Sequence, residues 1–156
     1  MMNGIYHHIL RFALLATVLA TARPALAVLG ESADSVSSDR KALAAVRGAT
    51  MVQNGYTVQE IASDATTVRE YISSDNIVFG VAWNGLGNPD IAGLLGSYAG
   101  EYQAALKQTP RKPGRRYRQI KTNGVVVETW GHMRNLQGRA YAPALIPQGV
   151  TPDEIK

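Results

Sequence analysis

Three runs of the chain, "YTVQEIAS" from Tyr56, "TTVREYIS" from Thr66 and "NIVFGVAW" from Asn76, follow one another with only Asp64-Ala65 and Ser74-Asp75-Asn76 as turn-forming pieces between them. Each is rich in β-branched and aromatic residues, so the stretch reads as a three-stranded antiparallel meander. In the third run strict alternation puts Ile77, Phe79, Val81 and Trp83 on one face and Val78, Gly80 and Ala82 on the other. Neither face carries a charge, so that strand is expected at the centre of its sheet.

The pieces around the meander complete an α+β reading. "SSDRKALAAVR" predicts a first helix over Ser37 to Arg47, stopped by Gly48. After the meander, Asn88 suits an N-cap, Pro89 the first helical position and Asp90 the first turn. Ile91, Leu94, Leu95, Tyr98, Tyr102 and Leu106 then recur at helical spacing, a stripe that packs on a sheet. Gly93, Gly96 and Gly100 interrupt that helix, and close packing is the expected compensation. A Pro- and Gly-interrupted basic loop leads to a strand, the turn Thr122-Asn123-Gly124, the strand "VVVETWGH" and a further extended piece over Met133 to Tyr141. The tail "APALIPQGV" is too rich in proline for a helix, and is expected to lie extended with Leu145 and Ile146 tucked in, before a capped turn at Thr151, Pro152 and Glu154. The expectation is an antiparallel sheet of about five to six strands, meander plus hairpin, with two helices packed on one face.

The first 27 residues read differently. Arg11 precedes an apolar run from Phe12 to about Ala22, then Pro24 and the small-x-small triplet Ala25, Leu26, Ala27. This is the pattern of a secretory signal peptide cleaved after Ala27, and the run is about half of the ~20 residues that span a bilayer. The expected organisation is a cleaved signal over 1–27 and one domain over 28–156, with a basic loop near 107–118. The expected location is the periplasm or the cell exterior, with no membrane span after cleavage. The chain has no cysteine, so its core has to suffice without disulfides.

The formal net charge of +4 falls to +2 without Arg11 and Arg23, since 14 basic residues then face 12 acidic ones. That charge is segregated: Lys107, Arg111, Lys112, Arg115, Arg116, Arg118 and Lys121 cluster with no acidic residue among them. Such a cluster is either a solvated loop or a footprint for an anionic envelope polymer, a lipid headgroup surface or an acidic exported protein. Nucleic acid does not suit an exported chain, and Tyr117 alone is no stacking platform.

Catalytic motifs are sparse. Gly85 and Gly87 begin a Gly-x-Gly corner, but Asp90 stands where a dinucleotide site needs its third glycine, and Pro89 removes an amide donor; the corner reads as architecture. His132 is the one histidine beyond the signal segment, and no Gly-x-Ser-x-Gly elbow surrounds Ser97. No cofactor motif or metal-ligand spacing is present, so no cofactor is expected. Glu60, Glu70 and Glu128 fall on strands, where two of them could face each other as an acid/base pair. Trp83 reads as core, whereas Trp130 suits core or ligand stacking. The candidate binding residues are Arg111, Lys112, Arg115, Arg116, Arg118, Trp130 and His132. The leading reading is a non-enzymatic binding or accessory module; the alternative is a small hydrolase or lyase using His132 with a strand carboxylate.

"TTVREYIS", "VFGVAWNG", "NPDIAGLLGSY", "GHMRNLQGRAYAPALIPQGVTPDEI" and the approach "ALAVLGE" resemble an exported proteobacterial family known as domain of unknown function 2844. The resemblance covers nearly all of the chain beyond residue 27. It implies export and a single domain, and implies no activity. Gly87-Asn88 and Ala99 depart from the commoner family pattern, which makes the Gly-x-Gly corner less suited to a shared active site.

Overall fold

The computed structural model describes residues 28–33, 47–53, 55–63, 65–110, 114 and 116–156. Seven antiparallel strands form one sheet: β1 (Arg47–Gln53), β2 (Tyr56–Ala62), β3 (Thr66–Ser73), β4 (Val78–Gly85), β5 (Arg118–Lys121), β6 (Val126–His132) and β7 (Asn135–Tyr141). Their order across the sheet is β1-β2-β3-β4-β7-β6-β5. The meander is therefore its first half, and β7 returns to pair with β4, from Gly80 opposite Tyr141 to Gly85 opposite Leu136.

Three expectations need correction. The sheet has seven strands rather than five to six, because β1 pairs with β2 where the first helix was expected to end. The rest of that predicted helix falls in 34–46, outside the described residues, and Arg47 opens β1 instead of closing a helix. Among the described residues there is one helical segment rather than two: α1 (Ile91–Leu95), a 3-10 turn (Gly96–Tyr98) and α2 (Ala99–Gln108). The fold is thus mostly β.

The alternation expected along β4 is broken by a register shift against Tyr71 and Ile72 of β3. A bulge places two successive residues on one side. Val78, Val81 and Trp83 consequently pack with Leu94 and Leu95 beneath the helix. Phe79 and Ala82 pack with Tyr56, Tyr71, Val126 and Ile155 on the opposite face. The strand is central and buried on both faces, as expected, but with a different division of side chains.

The helix is docked by apolar and polar contacts together. Leu94 and Leu95 are fully buried, and each such side chain removed from water contributes about 2 kcal/mol. Glu101 Oε1 accepts from the backbone N–H groups of Asn123 (2.9 Å) and Gly124 (3.1 Å), tying α2 to the β5–β6 turn. The segment Val28–Ala33 is laced between helix and sheet: Leu29 N donates to Leu94 O, Gly30 N to Val78 O and Val78 N to Glu31 O. The helix starts later than expected. Asp90 stands at the N-cap, and Asn88 is diverted, its Oδ1 accepting from the Trp83 indole at 3.3 Å.

The C-terminal tail covers the other face. Leu145, Ile146 and Val150 pack on it, and Ile155 is fully buried. Tyr56 OH donates to Glu154 Oε2 (3.1 Å), and Tyr71 OH to Lys156 O (2.7 Å). The expected final turn forms, with Glu154 Oε1 accepting from Thr151 N at 2.8 Å. Phe79 meets Tyr56 edge-on, ring centroids 5.8 Å apart, in the favourable T-shaped arrangement.

Two of the helix glycines, Gly96 and Gly100, differ in what surrounds them. Gly96 has φ +50°, and a Cβ there would lie 1.9 Å from Val28 Cγ1; around Gly100 nothing lies within 4 Å of a Cβ. Gly96→Ala is therefore expected to lower stability by about 3 kcal/mol through backbone strain and overpacking. Gly100→Ala is expected to raise it by about 0.5–1 kcal/mol. Thermal melts of the two variants should move in opposite directions.

Candidate functional site

The site arises where β5 stops short. Arg118 opens β5 opposite Thr129, whereas β6 runs on through Trp130, Gly131 and His132, which pair only with β7. Thr109 ends α2 in an extended conformation (φ −102°, ψ 98°), as the residue before a proline tends to do. Pro110 departs from the helix end, and Arg116 and Tyr117 lead into β5. Between this departure and the margin of β6 lies a cleft of about 630 Å³. Its lining includes Ile91, Tyr102, Thr129 and Leu136. Arg116, Tyr117, Arg118 and Trp130 line it as well. Among the described residues no Asp or Glu lines it.

Arg118 is the best-fixed cation there. Its Nη2 donates to Thr109 O at 2.9 Å and to Leu106 O at 3.5 Å, satisfying carbonyls that the helix end leaves free. Its Nε is buried and has no hydrogen-bond partner among the described residues. An unsatisfied buried donor costs about 1–3 kcal/mol, so this one needs a reason. Nearby Tyr102 is pushed above the usual phenol range by burial, an effect that Arg118 partly offsets.

A polar network adjoins the cleft on the other face. Glu128 is buried, its Oε1 accepting from Tyr117 OH (2.6 Å) and Gln119 Nε2 (2.7 Å) and its Oε2 from Arg139 Nε. Arg139 also donates through Nη1 to Pro152 O at 2.6 Å, so the carboxylate anchors the tail through it. Burial alone would raise the Glu128 carboxyl, but the bonds from Tyr117, Arg139 and Gln119 outweigh it and hold the group below its usual range. The same hydrogen bond, then burial, pushes the Tyr117 phenol up to about 12.

The sequence candidates divide accordingly. Arg116, Arg118 and Trp130 meet at the cleft. Arg111, Lys112 and Arg115 lie outside the described residues. His132 is exposed near the β6–β7 turn, and its ring nitrogen Nδ1 contacts the Met133 carbonyl at 3.1 Å. No acid/base pair forms among the strand glutamates. Glu60 is bound to Arg69 (2.9 Å), and Glu70 falls between Val68 and Ile72 of the helix-facing cluster. Glu60 and Glu128 share the tail face but stand four strands apart, roughly 19 Å. The Gly-x-Gly corner is architecture: Leu86 N donates to Ala65 O, and a Cβ on Gly85 would lie 2.2 Å from that oxygen. Trp83 is core, whereas Trp130 is half-buried, donating through Nε1 to Gln137 Oε1 at 3.1 Å.

Sequence reasoning missed Tyr102 and Thr129 as cleft residues, since nothing in the sequence shows which strand β5 leaves uncovered. It also missed the network of Glu128. The available signal was a single charge in each of two strands that otherwise carry no Asp, Glu, Lys or Arg, since a buried charge requires a partner.

Among the described residues no three His, Asp or Glu side chains cluster as a metal site requires, and no helix is long and apolar enough to cross a membrane. Fold and site define a class: a seven-stranded antiparallel sheet roofed by one helix, floored by its own tail, with a cationic cleft at its margin. Over residues 25–155 the chain matches the family described as "protein of unknown function (DUF2844)", and it belongs to that family. No curated protein and no solved structure matches it.

Glu128→Gln is expected to destabilise the fold by about 3 kcal/mol, since it leaves the largely buried Arg139 with only the exposed Asp153 as a charge partner. A depressed carboxyl stabilises above the unfolded pKa, about 4.3, and that stability is lost as pH falls through the folded value. Denaturant melts across acidic pH should therefore weaken less steeply in Glu128→Gln than in the parent. Ultraviolet titration should find Tyr117 ionising near 12 in the parent and closer to 10.0 in the variant.

Proposed function

We propose that this chain is an exported, non-enzymatic binding module whose cleft takes an anionic ligand. The observation that carries the reading is the meeting of Arg116 and Arg118 in a cleft where no acidic side chain stands among the described residues. Arginine with no carboxylate beside it keeps its full charge for a partner, and a cleft of this size is in the range of ligand sites. The hydrolase reading has no comparable support, because His132 is exposed and its recorded hydrogen bond is to a backbone carbonyl.

Export is supported by the apolar run from Phe12 to Ala22 and the triplet ending at Ala27. N-terminal sequencing of the protein from fractionated cells should give Val28 as the first residue in the exported fraction. Uncleaved chain confined to the cytoplasm would overturn this part of the reading.

Binding is tested with four anionic probes: polygalacturonate, polyglutamate, dextran sulfate and vesicles containing phosphatidylglycerol. At least one should bind, with affinity that falls as salt rises and falls at least threefold in Arg116→Ala. His132→Ala should change nothing. Failure of all four probes at low salt would remove the anionic reading.

A further inference from the structure

We propose that the tail face of the sheet carries a second binding site, separate from the cleft, whose ligand is an uncharged glycan lying across the strands. The tail floors this face as far as Arg69 and Arg139, which donate to Lys156 O (3.3 Å) and Pro152 O (2.6 Å). One row further along the strands the floor ends. There Thr67 stands opposite Asn84, Asn84 opposite Gln137 and Gln137 opposite Trp130. Tyr117 continues the row, since Arg118 after it stands opposite Thr129. Residues directly opposed across strands share a face, and these five lie two positions along from the tail-facing Arg69, Arg139 and Glu128 or level with them. The row covers four strand spacings, roughly 19 Å.

Its two rings are set in place by their polar edges. Tyr117 OH donates to Glu128 at 2.6 Å, Trp130 Nε1 to Gln137 Oε1 at 3.1 Å, and Gln137 Nε2 in turn to Asn135 Oδ1 at 2.9 Å. Tyr117 is nonetheless 48% exposed and Trp130 half-buried, and among the described residues neither pairs with another ring or a cation. Pre-set rings with uncommitted apolar surface suit the C–H face of a pyranose. At the other end Asn84 is exposed on a strand buried up to that point, and neither it nor Thr67 has a side-chain hydrogen bond among the described residues. Each offers both a donor and an acceptor, as sugar hydroxyls require.

The charge pattern selects an uncharged ligand. No side chain of the row is ionised, and the charges one row inward are matched in pairs, Arg69 with Glu60 and Arg139 with Glu128. A polyanion therefore has no free cation to meet there. β3, β4 and β7 are paired on both sides, so most of the row offers no edge to which a peptide strand could be added.

The test is calorimetric titration of the purified protein with cellohexaose, maltohexaose and N-acetylchitohexaose, each beside its monosaccharide. At least one hexamer should bind, at least tenfold more tightly than its monosaccharide and with the same affinity at low and high salt. Binding should shift the Trp130 emission, and should weaken at least fivefold in Trp130→Ala and in Asn84→Ala. If Trp130→Ala melts early, the exposed Asn84→Ala and the salt series on the parent still decide. Failure of all three hexamers would overturn the site. Affinity that falls with salt would move the ligand to a charged surface and overturn it too, as would binding unchanged in both variants. Equal binding of the monosaccharide would overturn the row as the recognising element.

Discussion

β4 takes Val78, Phe79, Val81, Ala82 and Trp83 into the interior and reaches no exposed side chain before Asn84, so both of its faces have to be covered. One sheet cannot do that for itself. The helix covers Val78, Val81 and Trp83, and the tail covers Phe79 and Ala82. The bulge near Phe79 supplies the second cover with an aromatic anchor, since Tyr56 and Tyr71 both gather around that ring. The long detour from β4 through helix, β5 and β6 before β7 comes back beside β4 follows from the same demand.

Covering the tail face introduces a charge problem that the structure settles with a chain of hydrogen bonds. Glu128 is taken out of water by the tail, and the arginine that compensates it is also the group that grips the tail at Pro152. Because Tyr117 shares this carboxylate, the segment entering β5 is tied to the far side of the sheet. The margin that frames the cleft is thus held by the same network that closes the fold, which gives Arg116 and Arg118 a fixed frame beside a long basic segment.

Much of the architecture was legible because its signals are local. The meander follows from β-branched runs, the helical stripe from apolar spacing, and the tail from its prolines. β1 was legible too: Asn54-Gly55 between "TMVQ" and "YTV" is a hairpin signal, but the helix-forming residues before Arg47 drew the reading past it. The N-cap was misplaced because Asn88 satisfies a buried indole, a contact invisible to local pattern. The cleft was legible only as charge. That three arginine and aromatic positions converge depends on β5 being four residues long and β6 seven, a mismatch set by pairing at a distance.

The order of the strands also fixes when the fold can close. The β1–β4 meander joins near neighbours, but the β4–β7 seam joins residues 51 to 61 positions apart, from Gly85 with Leu136 to Gly80 with Tyr141, and Tyr71 meets Lys156 across a separation of 85. Loop closures of that span form late, after the local hairpins. A growing chain that has reached β4 therefore carries its most apolar strand as an uncovered edge until β7 arrives. Such an edge is prone to join the wrong strand. β7 and the tail behind it act as the latch, and any process that must keep this chain open has only to delay their arrival.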